Sequence, residues 1–221
     1  MADSVDLGFL PERTRKIFQQ LGTSSFISKY TLVGGSALAM QIQHRFSEYL
    51  DFVFDGEELN MNQIKRNVQK LFPSFRILRQ DHQWQIDLLI DEVKLTFFST
   101  RAIALPFEVR TYSSEAHQLY IAGMKAIAAL KFSAIAQRNT IRDYYDLYCL
   151  SRYHIPLLDL IQFTMKVHPN LSPVTYSETL VYTKDIEENS IATHLSPVET
   201  VNKDQIATFF SQELYKIKEL I

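Results

Sequence analysis

Two neighbouring segments constrain this chain more than any other part of it. The apolar pair Leu32-Val33 leads into Gly34-Gly35-Ser36, and residues 45–52 follow a short helical stretch as Arg-Phe-Ser-Glu-Tyr-Leu-Asp-Phe. Glycines let the backbone approach a ligand closely, and the free N–H groups at the start of a helix favour an anion. We interpret the first segment as a strand-to-helix turn that binds phosphate, and the second as a strand carrying the carboxylate of Asp51.

Each of these residues also has an ordinary explanation. Two glycines and a capping serine are common turn chemistry, and taken alone that interpretation is favoured. Asp51 in isolation is better explained as a surface or capping acid. The order of the residues favours a functional role for Asp51, because Asp51 follows both the glycine turn and the pair Arg45 and Ser47.

Composition limits the functions that this chain can have. Its 221 residues are 46% hydrophobic, enough for one large domain or two small ones with a real core. The net charge of −2 gives no global field for nucleic acid, so a polyanion site has to be a local patch. The single cysteine, Cys149, cannot form an internal disulfide, which indicates a cytoplasmic protein. No apolar run approaches the roughly 20 residues of a membrane span.

Hydrophobic periodicity predicts a mixed α/β half followed by a helical half. In the first half we predict helices over 12–22, 36–44 and 60–72 and strands over 29–33, 49–54, 75–80, 84–90, 93–99 and 107–112. Ser36 is expected to cap the second helix, and Asp91-Glu92 to form a hairpin turn. In the second half we predict helices over 116–136, 140–152, 156–168 and 203–221, with a short helix and an exposed connection over 172–202. The expected domains are residues 1–114 and 115–221.

The strand around Asp51 has a composition that bears on metal binding. Residues two apart on a strand share a face, so an Asp-x-Asp strand aims two carboxylates at one metal. Here the second position is Tyr49, whose phenol is neutral at pH 7 and a poor magnesium ligand. Glu48 is acidic but should point to the opposite face. Asp87, on a neighbouring predicted strand, is the nearest substitute, so Asp51 and Asp87 are the candidate metal ligands.

A second group of charged residues lies in the helical half. Lys125 lies within the predicted helix 116–136, and Arg142 and Asp146 are one turn apart on the next. These charges could tie a helix surface by ion pairs, each worth a few tenths of a kcal/mol. They could instead position Lys125 and form a basic acceptor surface, an interpretation that the family resemblance described below favours. The tyrosines of the same helix are expected to pack in the core rather than to stack on bases.

Both segments resemble the AbiEii/AbiGii-type abortive-infection nucleotidyltransferases of the DNA polymerase β-like superfamily. Residues 34–38 and 45–52 are similar to the family patterns G-G-[ST]-A-L and R-x-S-x-D-[LI]-D-F. Lys125 and residues 138–148 are similar to the family lysine and R-x-x-x-[RK]-D-x-x-D-L-[YF]. Two positions depart from the family, since Tyr49 stands in place of its first metal-binding aspartate and Thr96 in place of its third acid.

The resemblance implies an α+β fold: a polymerase β-like mixed sheet with flanking helices, followed by a C-terminal helical bundle. It implies bacterial enzymes that use an NTP with Mg²⁺ or Mn²⁺ and transfer a nucleotide to an RNA, such as tRNA, or to a protein. It also implies a toxin with a cognate antitoxin. The catalytic candidates are Asp51, Lys125 and Asp146. The nucleotide-binding candidates are Gly34, Gly35, Ser36, Arg45, Ser47, Lys125 and Arg142.

Two functional hypotheses follow from the match and its departures. In the first, the chain is an active or weakly active nucleotidyltransferase with a rearranged set of acids. In the second, it is a catalytically degenerate member that binds a nucleotide, an RNA or a partner protein. The two hypotheses differ in whether Asp51, Asp87 and Glu48 converge within metal-binding distance.

Overall fold

The computed structural model describes residues 5–100, 109–113, 118–168, 172–187, 190–191 and 196–220. The chain forms two compact units, one of residues 1–41 and 46–123 and the other of residues 42–45 and 124–221. Within the described ranges, no helix is long and apolar enough to cross a membrane.

The first unit is built on a seven-stranded mixed sheet with strand order β3-β4-β5-β2-β1-β7-β6. The strands are β1 (Tyr30–Val33), β2 (Leu50–Phe54), β3 (Arg76–Asp81), β4 (Gln85–Ile90), β5 (Val93–Ser99), β6 (Val109–Ser113) and β7 (Gln118–Ala122). The helices are α1 (Glu12–Gly22), α2 (Gly34–Ile42) and α3 (Met61–Leu71). Strand β1 pairs antiparallel with β2 and parallel with β7, and β2 pairs parallel with β5. The predicted mixed sheet with flanking helices is therefore confirmed.

Local chemistry explains several element boundaries in this unit. Asn60 caps α3 by accepting a hydrogen bond from the Gln63 N–H. Asp91 and Glu92 join β4 to β5 with φ of 47° and 65°. A two-residue hairpin loop with both φ values positive matches the twist of its strands, so the predicted turn is confirmed.

An aromatic cluster forms the centre of the core in the first unit. Phe97 of β5 is fully buried, and its ring centroid lies 4.9 Å from Tyr30, 5.6 Å from Phe52 and 6.2 Å from Phe26. Aromatic pairs at such separations add to the gain from area burial. This cluster holds β1, β2 and β5 together, and those three strands support the predicted site.

The second unit is helical. Its helices are α4 (Met124–Ile135), α5 (Ile141–Tyr153), α6 (Leu157–Val167), α7 (Pro173–Val181) and α8 (Lys203–Leu220). Helix α4 packs on α5 and α6, and α8 packs on α5 and α7. Tyr144, Tyr145 and Tyr148 of α5 are buried in the core as predicted, but Tyr153 at the end of the helix is 55% exposed, so the prediction is wrong for that residue.

Two local predictions are wrong. Residues 118–122 form strand β7 and not the start of a helix, because Leu119 and Ile121 are both buried and the segment pairs with β1. Helix α2 begins at Gly34, so Ser36 lies inside the helix and is not its cap.

Some predicted stretches fall on residues that the structure does not describe. Residues 107–108 of the predicted edge strand lie outside the described residues, while its remainder is confirmed as β6 at one edge of the sheet. Residues 116–117 of the predicted helix, and 188–189 and 192–195 of the predicted connection, also lie outside them.

The aromatic cluster yields a stability prediction. Phe97→Ala should lower the free energy of unfolding by about 3–5 kcal/mol, because it empties the centre of a packed core. Leu78→Ala on the exposed strand β3 should change it by less than about 0.5 kcal/mol. Urea unfolding followed by circular dichroism measures both variants, and equal losses would contradict the assigned core.

Candidate active site

The glycine turn and the carboxylate of Asp51 lie side by side in the first unit. Gly34 has φ of +71°, a conformation that glycine adopts without the steric cost of a side chain. The last residue of β1, Val33, pairs with Asp51 of β2. A Cβ atom placed on Gly34 would lie 3.0 Å from Oδ2 of Asp51. The pairing of β1 with β2 thus brings the two sequence segments together.

Ser36 connects the start of α2 to the segment that precedes β2. Its side chain is buried, and its hydroxyl donates to the carbonyl oxygen of Tyr49. The hydroxyl oxygens of Ser36 and Ser47 lie 2.9 Å apart, and the Ser47 N–H donates to the carbonyl of Phe9. These contacts fix the approach to β2, and a contact of either hydroxyl with phosphate stays a prediction.

Three polar residues lie in register across adjacent strands. Asp51 of β2 pairs with Thr96 of β5, and Thr96 pairs with Asp87 of β4. Directly opposed residues share one face of a sheet, so these side chains form a row. Asp87 accepts a hydrogen bond from Gln85 at 2.9 Å and pairs with Lys94 at 3.0 Å. The buried Oγ1 of Thr96 has no hydrogen-bond partner among the described residues.

The donor set of this row suits one magnesium ion better than two. Mg²⁺ takes oxygen ligands and is commonly held by one or two carboxylates together with substrate phosphates and water. Asp51 beside the turn and the unpartnered Thr96 hydroxyl fit that description. Within the described part of the chain, no group of three His, Cys, Asp or Glu side chains could hold a metal. Asp51, Asp87 and Glu48 therefore do not converge, and the residues do not fit a two-metal site.

Tyr49 differs from an acid in its placement as well as its chemistry. It precedes β2, and 39% of the residue is exposed. Its backbone carbonyl is the group that Ser36 holds, which leaves the phenol outside the buried contacts of the turn. The first acid position of the resembling family is thus occupied by an exposed neutral ring.

Asp146 is the centre of a buried charge cluster in the second unit. Arg45 binds its carboxylate with two parallel bonds, Nε to Oδ1 at 2.7 Å and a terminal nitrogen to Oδ2 at 2.9 Å. His44 Nε2 lies 2.7 Å from Oδ1, and Lys131 Nζ lies 2.5 Å from Oδ2. The Asp146 residue is 0% exposed, so every contact of this carboxylate is with protein.

The surroundings of Asp146 fix its charge and that of His44. Burial alone would raise the pKa of the Asp146 carboxyl, but Arg45 and Lys131 outweigh burial and hold that pKa well below its usual value. Burial lowers the pKa of His44, with Asp146 opposing only part of the effect. The ring is therefore neutral, with its proton on Nε2, because a carboxylate can only accept.

Lys131 extends the cluster to a second carboxylate. Its Nζ lies 2.6 Å from Asp143, which also binds Arg138 at 2.9 Å and the Thr140 hydroxyl at 2.6 Å. Sequence reasoning missed Lys131. The signal was available, since a lysine inside the apolar run 126–132 of a helix is rarely buried without an acidic partner.

Lys125 and Arg142 lie in the first turns of α4 and α5, and both side chains are partly exposed. Neither makes an ion pair with the residues that the structure describes, and no bond joins Arg142 to Asp146 as their spacing had suggested. Their cationic groups are thus accessible to a bound anion.

The comparison with known proteins identifies the family. The sequence model described as "Nucleotidyl transferase AbiEii toxin, Type IV TA system" matches residues 16–219. This chain belongs to that family. A relative, the uncharacterized protein aq_aa25 of Aquifex aeolicus (strain VF5), is 32% identical over 181 residues, which cover 81% of this chain and 85% of the relative.

Solved structures of similar fold include two proteins of comparable length. MenT4, a nucleotidyltransferase toxin from Mycobacterium tuberculosis H37Rv, has a TM-score of 0.59 at 16% identity, over 93% of this chain and 86% of MenT4. JHP933 from Helicobacter pylori has a TM-score of 0.50 at 17% identity, over 98% of this chain and 96% of that protein. At these identities the likeness shows the fold, a nucleotidyltransferase sheet with a C-terminal helical region.

The glycine turn yields a prediction at Gly34. Gly34→Ala should destabilise the protein by about 1–2 kcal/mol, because alanine is strained at positive φ and its Cβ would press on the Asp51 carboxylate. Gly35→Ala, one residue further into α2, should stabilise it by up to about 1 kcal/mol. Urea unfolding compares the two variants. Equal effects would show that the turn does not have the described conformation.

The charge cluster yields a prediction at Asp146. Asp146→Asn should cost about 3–5 kcal/mol of unfolding free energy at pH 7, because it leaves Arg45 buried without its counter-ion and Lys131 with Asp143 alone. The exposed control Asp159→Asn, in the first turn of α6, should cost less than about 1 kcal/mol.

The pH dependence of the same variant follows from the lowered pKa. A depressed pKa in the folded state stabilises above the unfolded value of about 3.9, and the stabilisation is lost as pH falls through the folded value. The gap between wild type and Asp146→Asn should hold from pH 7 to about 5 and shrink only below about 4. A gap that closes near pH 6 would contradict the assigned ionisation.

Proposed function

We propose that this protein is a metal-assisted nucleotidyltransferase that transfers a nucleotide from an NTP to an RNA or protein acceptor. The observation that carries the proposal is the contact between the Asp51 carboxylate and the glycine turn at Gly34. A metal–triphosphate complex requires a turn that binds phosphate next to a carboxylate that binds the cation. Membership in a nucleotidyltransferase family supports the same assignment.

In this proposal the start of α2 binds the triphosphate. The N–H groups of the turn at Gly34 and Gly35 and the dipole of α2 favour an anion. Ser36 and Ser47 hold the turn against the segment before β2, through their mutual contact and the bond to the Tyr49 carbonyl. The turn is thereby pre-organised, and phosphate binding does not have to order it.

Asp51 and the Thr96 hydroxyl would hold Mg²⁺ or Mn²⁺ together with phosphate oxygens. The ion, when bound, would neutralise charge on the triphosphate. Asp87 lies at the end of the same row, where its pairing with Lys94 offsets its negative charge. Asp51 is thus the acid on which metal binding chiefly depends.

The charged residues of the second unit divide into two roles. Lys125 and Arg142, partly exposed, are the cations that we assign to binding an anionic group of the acceptor. Arg45 and Asp146 are both buried and are joined by two hydrogen bonds, so neither side chain is free to contact substrate. We assign them a positioning role. Their pairing fixes residues 42–45, which lead directly into the segment of Ser47 and Tyr49.

Catalysis should be slow for a physical reason. With Tyr49 and Thr96 at the acid positions, the site lacks the negative charge that a second ion needs. This same observation favours the second candidate function, a degenerate member that binds a nucleotide, an RNA or a partner without transferring anything. As a member of a toxin family, the protein would in either case act in the cytoplasm of a bacterium beside a cognate antitoxin.

A transfer assay tests the proposal. The protein is incubated with each labelled NTP, Mg²⁺ or Mn²⁺, and total bacterial RNA or protein, with Asp51→Asn as the inactive control. Metal-dependent labelling of an acceptor by wild type alone is the expected result. NTP binding without any labelling would support the degenerate alternative, and labelling that Asp51→Asn retains would exclude the assigned site.

The identity of residue 49 yields a sharper prediction. Tyr49→Asp should raise metal-dependent transfer, more so when combined with Thr96→Asp, because each restores charge to the metal site. One such electrostatic element is commonly worth on the order of a hundredfold in rate. Tyr49→Phe is the matched control and should leave the rate unchanged. A fast wild type that Tyr49→Asp does not improve would show that other residues build the metal site.

A further inference from the structure

A small cavity in the second unit is lined by residues to which the proposed reaction assigns no role. Its volume is about 260 Å³, and its walls include His44, Tyr145, Cys149, Tyr153, Val198 and Glu199. Ligand pockets for drug-sized molecules usually span about 300–1,000 Å³, so this cavity suits a smaller ring compound. Two tyrosine rings and the apolar surfaces of Cys149 and Val198 make its walls fit for a flat molecule.

His44, which lines the cavity, has one ring nitrogen without a hydrogen-bond partner among the described residues. His44 is 5% exposed, and its Nε2 is committed to Asp146. Its Nδ1 is buried and has no hydrogen-bond partner among the described residues. In the neutral ring Nδ1 is an acceptor, and a buried acceptor without a donor is costly. The cavity wall therefore lacks a donor that a ligand can supply.

Two hydroxyl groups of the wall already use their donors within the protein. The Tyr153 hydroxyl donates to Glu199 at 2.6 Å, and the Tyr145 hydroxyl donates to the His44 carbonyl at 3.3 Å. Arg152 lies 3.3 Å from Glu199 and offsets the charge of its carboxylate. A ligand in the cavity therefore needs no charge of its own. Burial raises the pKa of the Cys149 thiol to about 12, which keeps it neutral. An uncharged ligand that carries N–H donors complements these groups.

We propose that this cavity binds a neutral planar nitrogen heterocycle with N–H donors, the chemistry of an amino-bearing nucleobase, which donates to Nδ1 of His44. The ligand is either a free base or nucleoside, or the base of an unpaired nucleotide in an RNA. Both sources present the same ring and the same donors. The cavity belongs to the second unit, and binding there would act on the Asp146 cluster through the opposite side of the His44 ring.

Adenine and caffeine form a matched pair of probes, because caffeine is a purine without N–H donors. Adenine titrated into protein with ¹⁵N-labelled histidine should shift the Nδ1 resonance of His44, and caffeine should not. His44→Gln retains an N–H for Asp146 but moves the acceptor from the Nδ1 position to the amide oxygen, and should weaken adenine binding about tenfold. His82→Gln, a substitution on the exposed loop of the first unit, should bind adenine as wild type does. Asp51→Asn should also bind it unchanged.

The outcomes of these titrations decide between the two sources and test the site. Tighter binding of a short oligoadenylate than of adenine identifies an RNA base, and the reverse order identifies a free base. An unmoved His44 Nδ1 resonance in saturating adenine would overturn the proposal, and so would equal affinity of wild type and His44→Gln. The ¹⁵N measurement uses the wild-type protein and stays decisive if His44→Gln does not fold. Loss of adenine binding in Asp51→Asn would show that adenine reports on the triphosphate site instead.

Discussion

The antiparallel pairing of β1 with β2 sets Asp51 opposite Val33, at the point where β1 ends and α2 begins. This register determines the chemistry of the first unit. A shift by one residue would turn Asp51 to the other face and bring an apolar neighbour to the turn. Two sets of contacts hold this register. They are the aromatic cluster around Phe97 and the hydrogen bond from Ser36 to the Tyr49 carbonyl. The contacts that stabilise the core therefore also set the geometry of the site.

The second unit obeys a different constraint, the need to pair buried charges. Asp146, Asp143, Arg45 and Lys131 are all buried, which is expensive unless every charge meets a partner. The bonds among them meet that need, and His44 completes the set as a neutral donor. Such clusters contribute little net stability compared with apolar packing, but they strongly penalise the loss of any one member. The cluster thus specifies a single arrangement of residues 42–45 with α4 and α5.

The sequence allowed much of the fold to be predicted, for reasons that particular elements make clear. The amphipathic spacing of α3, its Asn60 cap and the Asp91-Glu92 turn are local signals, and local signals were sufficient there. Strand β7 was missed because its identity depends on pairing with β1, some ninety residues earlier in the chain. The start of α2 was misplaced because the chain turns sharply at Gly34, with positive φ, and enters the helix there without a capping side chain at Ser36.

The candidate site was predictable in its parts but not in its contacts. Spacing indicated Gly34 and Asp51, and the structure brings them together. The Thr96 hydroxyl between Asp51 and Asp87 follows from strand register, which one sequence does not reveal. Arg45 and Asp146 were both named as site candidates and their roles stay predictions, while their mutual bond, and the place of Lys131 beside it, required the fold. Long-range pairing is the part of this site that residue patterns do not encode locally.

The central claim is that Asp51 holds a metal ion against a triphosphate bound at the Gly34 turn. Calorimetric titration of NTP with and without Mg²⁺ tests it directly in wild type, Asp51→Asn and Asp55→Asn, where Asp55 is an exposed aspartate just past β2. The account predicts that Mg²⁺ tightens NTP binding in wild type and in Asp55→Asn but has no effect in Asp51→Asn. An equal gain from Mg²⁺ in all three proteins would contradict it.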